Sequence, residues 1–246
     1  KDMISNLYES FKAIGKNPDC RVLVLQGLGK HFSAGADLNW MKASASLSHH
    51  ENQEDAENLQ TMFEKLVGLA IPTICVTHGA VFGGAVGLVC ACDMAIAEEK
   101  TRFALSEVKI GLIPAVILPY VARKMQPGQL RRQALSGRVF SASEALSYGV
   151  IEVIARGDNE LTKILSEELK HILGASPQAQ RTCKELFHQL RKENMRQGPF
   201  TAKAIADIRT SPEGQSGLKS FLTKTKPTWD LGLEENWRFS LGKKNT

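Results

Sequence analysis

Apolar residues at positions 3, 4, 7, 8, 11 and 14 fall on one face of a helix, and the spacing predicts a helix over residues 3–16, broken by Asn17-Pro18-Asp19. The run 21–26 reads as a strand closed by Gly27. A polar loop follows, Gly29-Lys30-His31, and then Phe32-Ser33-Ala34-Gly35-Ala36-Asp37-Leu38. Residues 41–57 are polar and lead into a helix near 55–69 that Pro72 ends. Residues 72–77 are short, β-branched and apolar, the mark of a buried strand, and 93–97 is a second one. Between them the stretch after Gly83-Gly84 carries no charge and reads as a helix buried on all sides.

A further strand is expected at 101–105. Residues 110–122 are apolar but contain Pro114 and Pro119, which predicts broken helix or loop packed in the core. A helix at 127–136 has Pro near its start and Gly137 after its end. Ser141 and Glu144 form a capping-box pattern for a helix that Gly149 closes, and 150–155 is a strand. Helices are expected at 160–173, 177–194, 200–210 and 213–224. Strand and helix alternate to about Ala155, which predicts an α/β core over residues 1–155 and a helical C-terminal region over 156–246.

The chain has 246 residues, 43% of them hydrophobic, enough for one well-cored domain. The net charge of +5 suits an anionic ligand but is not concentrated enough to argue for nucleic acid. Cys75, Cys90 and Cys92 sit in apolar runs without metal-ligand spacing, and read as reduced core residues of a cytoplasmic protein. No apolar run reaches membrane-spanning length. The first residue is Lys rather than Met, which predicts a trimmed chain.

Several chemistries are set aside. Gly27-Leu28-Gly29 follows a strand, but Phe32 replaces the third glycine of a dinucleotide fingerprint. There is no Walker loop and no Gly-x-Ser-x-Gly. His49-His50-Glu51 lacks metal-ligand spacing. Ser106 to Lys109 matches Ser-x-x-Lys without its companion motifs. The stretch at Gly83-Gly84 is more informative. The first turn of a buried helix aims free N–H groups and the positive end of its dipole outward, and glycines let a ligand oxygen come close. That is how an oxyanion hole is built. A tight turn into a core helix that touches no ligand is the plainer alternative. Glu107, after the apolar strand 101–105 and before the apolar 110–117, is expected to be partly desolvated, with its pKa raised toward the range useful for proton transfer.

Phe32 to Leu38, Gly83-Gly84 to Cys92-Asp93, and Phe103 to Glu107 with Gly111 and Pro114, in this order, resemble the crotonase superfamily, the enoyl-CoA hydratase/isomerase family. The resemblance covers almost the whole chain. It implies a crotonase-type ββα spiral core with a helical C-terminal oligomerisation region. It implies that Ala34 and Gly84 supply backbone N–H donors to a thioester oxygen and that Glu107 is the general acid/base. Ala34, Gly35, Ala36, Asp37, Gly83 and Gly84 would line the substrate. Phe221 and Lys224 match a C-terminal Phe-x-x-Lys that reaches the coenzyme A of a neighbouring subunit. No cofactor is implied beyond the coenzyme A of the substrate, and no metal. Partners would be an acyl-CoA and further copies in a homotrimer or homohexamer, with no nucleic acid and no membrane.

Residues 106–117 and 211–218 look most like bacterial 3-methylglutaconyl-CoA hydratases of leucine breakdown. Two departures stand out. Gly87 occupies the place where two-carboxylate hydratases carry a second Glu, and is expected to look into the site. The strands that precede the first helix in the family are absent. Hydration of a 2-enoyl-CoA thioester through an enolate is the reading that follows. Isomerisation of a 3-enoyl-CoA and catalytically weak acyl-CoA binding stand beside it. A serine peptidase on this fold would place its nucleophilic Ser near the start of the buried helix, and residues 83–91 contain no Ser, which argues strongly against it.

Overall fold

A computed structural model describes residues 2–35, 37, 47–189 and 197–233. The opening stripe folds as α1 (Asp2–Lys16), which packs Phe11 into the core. After it come β1 (Leu23–Gln26) and α2 (His49–Val67), whose first turn is closed by a capping box between Ser48 and Glu51. The next turn of chain gives β2 (Thr73–Thr77), β3 (Ala80–Phe82) and the buried helix α3 (Gly84–Ala91). Then follow β4 (Met94–Glu98), β5 (Arg102–Ala104), a 3-10 turn at Glu107–Ile110 and the short α4 (Leu118–Val121). α5 (Pro127–Ser136), β6 (Val139–Ser141), α6 (Ala142–Tyr148) and β7 (Val153–Ala155) complete the α/β part.

β1, β2, β4 and β7 form a four-stranded parallel sheet in the order β1-β2-β4-β7. β3, β5 and β6 form a second sheet, and Ser33 joins its edge through a bridge to Val81. Successive turns of chain therefore place one strand in each sheet and then a helix, which is the ββα spiral. β2 is buried at every position because both faces of its sheet are covered, so it reads as a continuous apolar run rather than an alternating one. Cys75, Cys90 and Cys92 are free and buried, and burial pushes the Cys90 thiol up to about 12.

The C-terminal helices are α7 (Asp158–Gly174), α8 (Pro177–Gln189), α9 (Gln197–Thr210) and α10 (Pro212–Thr223). The end of the helix expected at 177–194 lies outside the described residues. α7 shares the core: Leu161, Leu165, Leu169 and Ile172, spaced along one face, pack with Ile74, Val76 and Ile96 of the sheet. α10 packs chiefly on α9, and its Glu213 accepts from the Ser176 hydroxyl and from the Gln178 N–H (2.8 Å) at the start of α8. Phe221 and Leu222 on this arm are 81% and 77% exposed.

Two short strands, β3 and β6, were not anticipated. Each has only 3 residues, too few to display a period. The segment 110–122 needs correction. Ile117, Tyr120 and Val121 are buried as expected, but Ile110, Leu112 and Ile113 are 57%, 55% and 72% exposed. The 3-10 turn lifts these three out of the core, and Gly111 ends it in a left-handed conformation (φ 75°).

α8 is fastened to the core by charge. Lys184 Nζ donates to Asp93 Oδ2 (2.6 Å) and to the Ile71 carbonyl (2.7 Å). The same Asp93 oxygen accepts from the Thr73 N–H (2.8 Å) and hydroxyl (2.9 Å), where β2 begins. Asp93→Ala should leave a buried ammonium with one acceptor and lower the free energy of unfolding by about 2–3 kcal/mol, the usual loss for a charged hydrogen bond broken on one side. Urea unfolding followed by circular dichroism measures it.

Candidate active site

Three segments meet at the start of α3. The first is the loop after β1. Its Phe32 N–H donates to the His78 carbonyl (2.9 Å) and its Ser33 N–H to the Ala80 carbonyl (3.0 Å), while the Phe82 N–H returns a bond to the Ser33 carbonyl (3.0 Å). Ala34 and Gly35, the next residues, are exposed, and Gly35 takes φ 116°, which a side chain would resist. Asp37 is exposed on the same loop; Ala36 and Leu38 lie outside the described residues.

The second segment is the first turn of α3. Gly83 is buried at φ 58° and ψ −124°, and its N–H donates to the Ala104 carbonyl at the end of β5 (2.9 Å). No side chain caps the helix. Gly84 is exposed, and a Cβ built on it would meet nothing within 4 Å. The first turn of α3 is thus open at Gly84, and the positive end of a helix dipole is where an oxygen anion is stabilised.

The third segment is the 3-10 turn that Glu107 begins. A Cβ built on Gly83 would lie 3.2 Å from Glu107 Oε1, so the missing side chain is what lets the carboxylate stand beside the helix start. Glu107 Oε2 is buried with no hydrogen-bond partner among the described residues. Burial raises the pKa of the carboxyl above its ordinary 4.5, opposed by a hydrogen bond from its own backbone N–H. This matches the direction expected from the apolar sequence around it.

Glu107, Gly83 and Gly84 are therefore brought together, with the Ala34 loop bonded to the strand that leads into them. Phe221 and Lys224 are elsewhere, on α10. Lys224 ends that helix in the left-handed region (φ 54°).

Gly87 does not look into an open site. A Cβ there would meet Ile117 Cγ2 at 2.5 Å, Ile117 Cβ at 2.8 Å and Phe63 Cζ at 2.9 Å. Phe63 in turn stacks on Tyr120, ring centroids 4.9 Å apart. Hydrocarbon fills the place one turn into α3, so no acid stands there and none fits without repacking. Ile117 and Phe63 were not singled out from the sequence, where they look like any core residue. The available signal was the glycine itself, an absent side chain within a helix that is otherwise apolar and well filled.

With this geometry in hand, comparison with known proteins is specific. The profile of the enoyl-CoA hydratase/isomerase family matches residues 1–231. An enoyl-CoA hydratase of Alternaria alternata is 32% identical over 225 residues, 89% of this chain and 70% of that one. A peroxisomal Δ(3,5)-Δ(2,4)-dienoyl-CoA isomerase of Arabidopsis thaliana is 26% identical, over 92% of this chain and 85% of that one. The crystal structure of an enoyl-CoA hydratase from Shewanella pealeana superposes with a TM-score of 0.87 at 40% identity, covering 92% of this chain and 85% of that one.

The contact at Gly87 sets a prediction. Gly87→Ala gains helix propensity, yet forces a methyl group into Ile117 and Phe63. Overpacking of this kind outweighs the gain, and the variant should be destabilised by roughly 1–2 kcal/mol net. Gly87→Ala with Ile117→Val should recover part of the loss. Thermal and urea unfolding of the three proteins tests both statements.

Proposed function

The chain belongs to the enoyl-CoA hydratase/isomerase family, and from that premise we propose that it hydrates a 2-enoyl-CoA thioester. A branched or glutaconyl-type acyl group such as 3-methylglutaconyl is the first choice. The observation that carries the reading is the half-buried Glu107 carboxylate beside the uncapped, exposed start of α3. The thioester oxygen is held by the N–H groups of Ala34 and Gly84. Glu107 takes a proton from water as the water oxygen bonds to C3. The C2–C3 π pair moves onto the thioester as an enolate, and Glu107 returns the proton to C2. One carboxylate serves both steps. Fixed donors in a dry site stabilise the enolate without having to reorganise.

Isomerisation is the second reading, and the filled position at Gly87 favours it. Moving a proton from C2 of a 3-enoyl thioester to C4 needs one carboxylate and no positioned water. Purified protein offered matched 2-enoyl- and 3-enoyl-CoA thioesters, with products separated and weighed by mass spectrometry, decides between them. Formation of 3-hydroxyacyl-CoA supports hydration. Conversion of 3-enoyl- to 2-enoyl-CoA alone supports isomerisation, and inertness toward both removes the enzyme reading.

Assembly as a homotrimer or homohexamer belongs to the same proposal, with Phe221 and Lys224 reaching the coenzyme of a neighbour. The exposed apolar face of α10 is the support within this chain. Light scattering should report three or six copies. Phe221→Ala should weaken coenzyme A binding, and a fully active monomer would remove the neighbour's role.

Glu107→Gln keeps the shape and ends proton transfer, so turnover should fall roughly 10²–10⁴-fold with little change in thioester affinity. The pH dependence has a definite sign. Glu107 must be ionised to accept a proton, so turnover should fall on the acid side through a value above 4.5. For stability the direction is opposite. A carboxyl whose pKa is raised by folding contributes stability that is complete below its unfolded value and lost as pH rises through its folded value. At neutral pH Glu107 weakens the fold. Glu107→Gln should therefore raise the urea midpoint there, and the difference should close as pH is lowered.

A further inference from the structure

The loop that presents Ala34 is held by two histidines that the reaction above does not use. His31 Nδ1 accepts from the Ala80 N–H (3.1 Å), so this nitrogen carries no proton. His78 is fully buried, and its Nε2 lies 2.8 Å from the Gly29 carbonyl, which makes Nε2–H the donor. Gly79, next to His78, takes φ 61°. A Cβ there would meet the Lys30 carbonyl oxygen at 2.4 Å and His31 Nδ1 at 2.6 Å, so the imidazole packs directly on the backbone.

Ala80 is thereby held twice from one short stretch of loop. Its N–H goes to the His31 side chain and its carbonyl receives the Ser33 N–H (3.0 Å). The imidazole nitrogen occupies the place that a neighbouring strand's carbonyl would take. The consequences run to both thioester donors. Ala34 follows Ser33 directly, and Gly84 lies two residues beyond Phe82, whose N–H is bonded to the Ser33 carbonyl (3.0 Å). Any slip of the loop against β3 moves one donor relative to the other.

We propose that His31 is a positioning residue for the oxyanion hole: by accepting the Ala80 N–H it sets the spacing between the Ala34 and Gly84 donors. The proposal rests on the acyl-CoA reading above. It predicts an effect concentrated on the anionic state. A thioester carbonyl tolerates a loosely placed donor, while an enolate oxygen draws far more from two well-placed ones.

The test compares His31→Leu, which keeps bulk and removes the acceptor, with His31→Asn, which puts an acceptor oxygen at the same distance along the side chain as Nδ1. His31→Ser serves if the Leu variant does not fold. Two probes are used besides turnover: free coenzyme A, and acetoacetyl-CoA, whose enolate has its own ultraviolet band. The expected result for His31→Leu is a kcat lower by roughly 10–10²-fold, the worth of a small misplacement of a catalytic group, with KM nearly unchanged. The fraction of bound acetoacetyl-CoA present as enolate should fall, and coenzyme A affinity should stay at the wild-type value. His31→Asn should recover most of kcat and of the enolate band. Wild-type kcat and enolate band in His31→Leu would overturn the proposal, as would equal losses in the Leu and Asn variants, since a merely structural role predicts no rescue. A wild-type protein that binds neither probe would overturn the acyl-CoA reading itself, and the proposal with it.

Discussion

A buried helix whose first turn no side chain caps leaves backbone N–H groups open to an outside acceptor, and among the described residues α3 is such a helix. Its residues are uncharged because all but Gly84 and Leu88 are buried, and Gly83 and Gly84 leave its first turn bare. The usual remedy, a Ser or Asp at the cap, is used elsewhere in this molecule: Ser48, Ser141 and Ser211 each cap their helices. Its absence at α3 leaves the helix start without a side-chain cap. A side-chain oxygen there would satisfy the N–H groups and compete with a ligand oxygen for them.

Glu107 stands under two opposed influences. The positive end of α3 favours its ionised form, and burial opposes it. The raised pKa says that burial prevails. A carboxylate beside a helix start could otherwise have become the cap of that helix and stayed ionised there. Glu107 instead begins its own 3-10 turn, stands close to Gly83, and leaves Oε2 buried with no partner among the described residues. That arrangement costs stability, and it is the observation on which the acid/base role proposed for Glu107 rests.

The parts of this that were legible in the sequence are those with a local cause. Ser141 and Glu144 announce a capping box, Gly137 and Gly149 announce helix ends, and both glycines are left-handed in the structure. Glu107 after an apolar strand announces desolvation. β3 was not legible, since Ala80-Val81-Phe82 carries no period and gains its strand character from partners at Ser33 and β5. The exposure of Ile110, Leu112 and Ile113 was hidden for a related reason. Apolar composition alone does not say whether a residue faces the core of its own chain, and only the tertiary path of the 3-10 turn settles it. His31 and His78 looked like ordinary loop and strand-end residues, because their partners are backbone groups distant in sequence.

Gly87 teaches the same lesson with a chemical consequence. A glycine one turn into α3 reads as vacancy, a place where an acid is missing. Ile117 and Phe63 make it occupied space, and Tyr120 backs Phe63 with a stacked ring. An open vacancy could admit water to serve as the missing acid, whereas packed hydrocarbon excludes it. Under the proposed hydration, the water therefore has no place at Gly87 and is assigned to Glu107. Under the proposed reading the two oxygens of Glu107 carry a proton on one face of the substrate, from water at C3 to C2 or from C2 to C4. They provide no second base on the opposite face. The proposed use of a single carboxylate therefore implies addition with both new bonds on the same face, or a proton shift between C2 and C4 on one face.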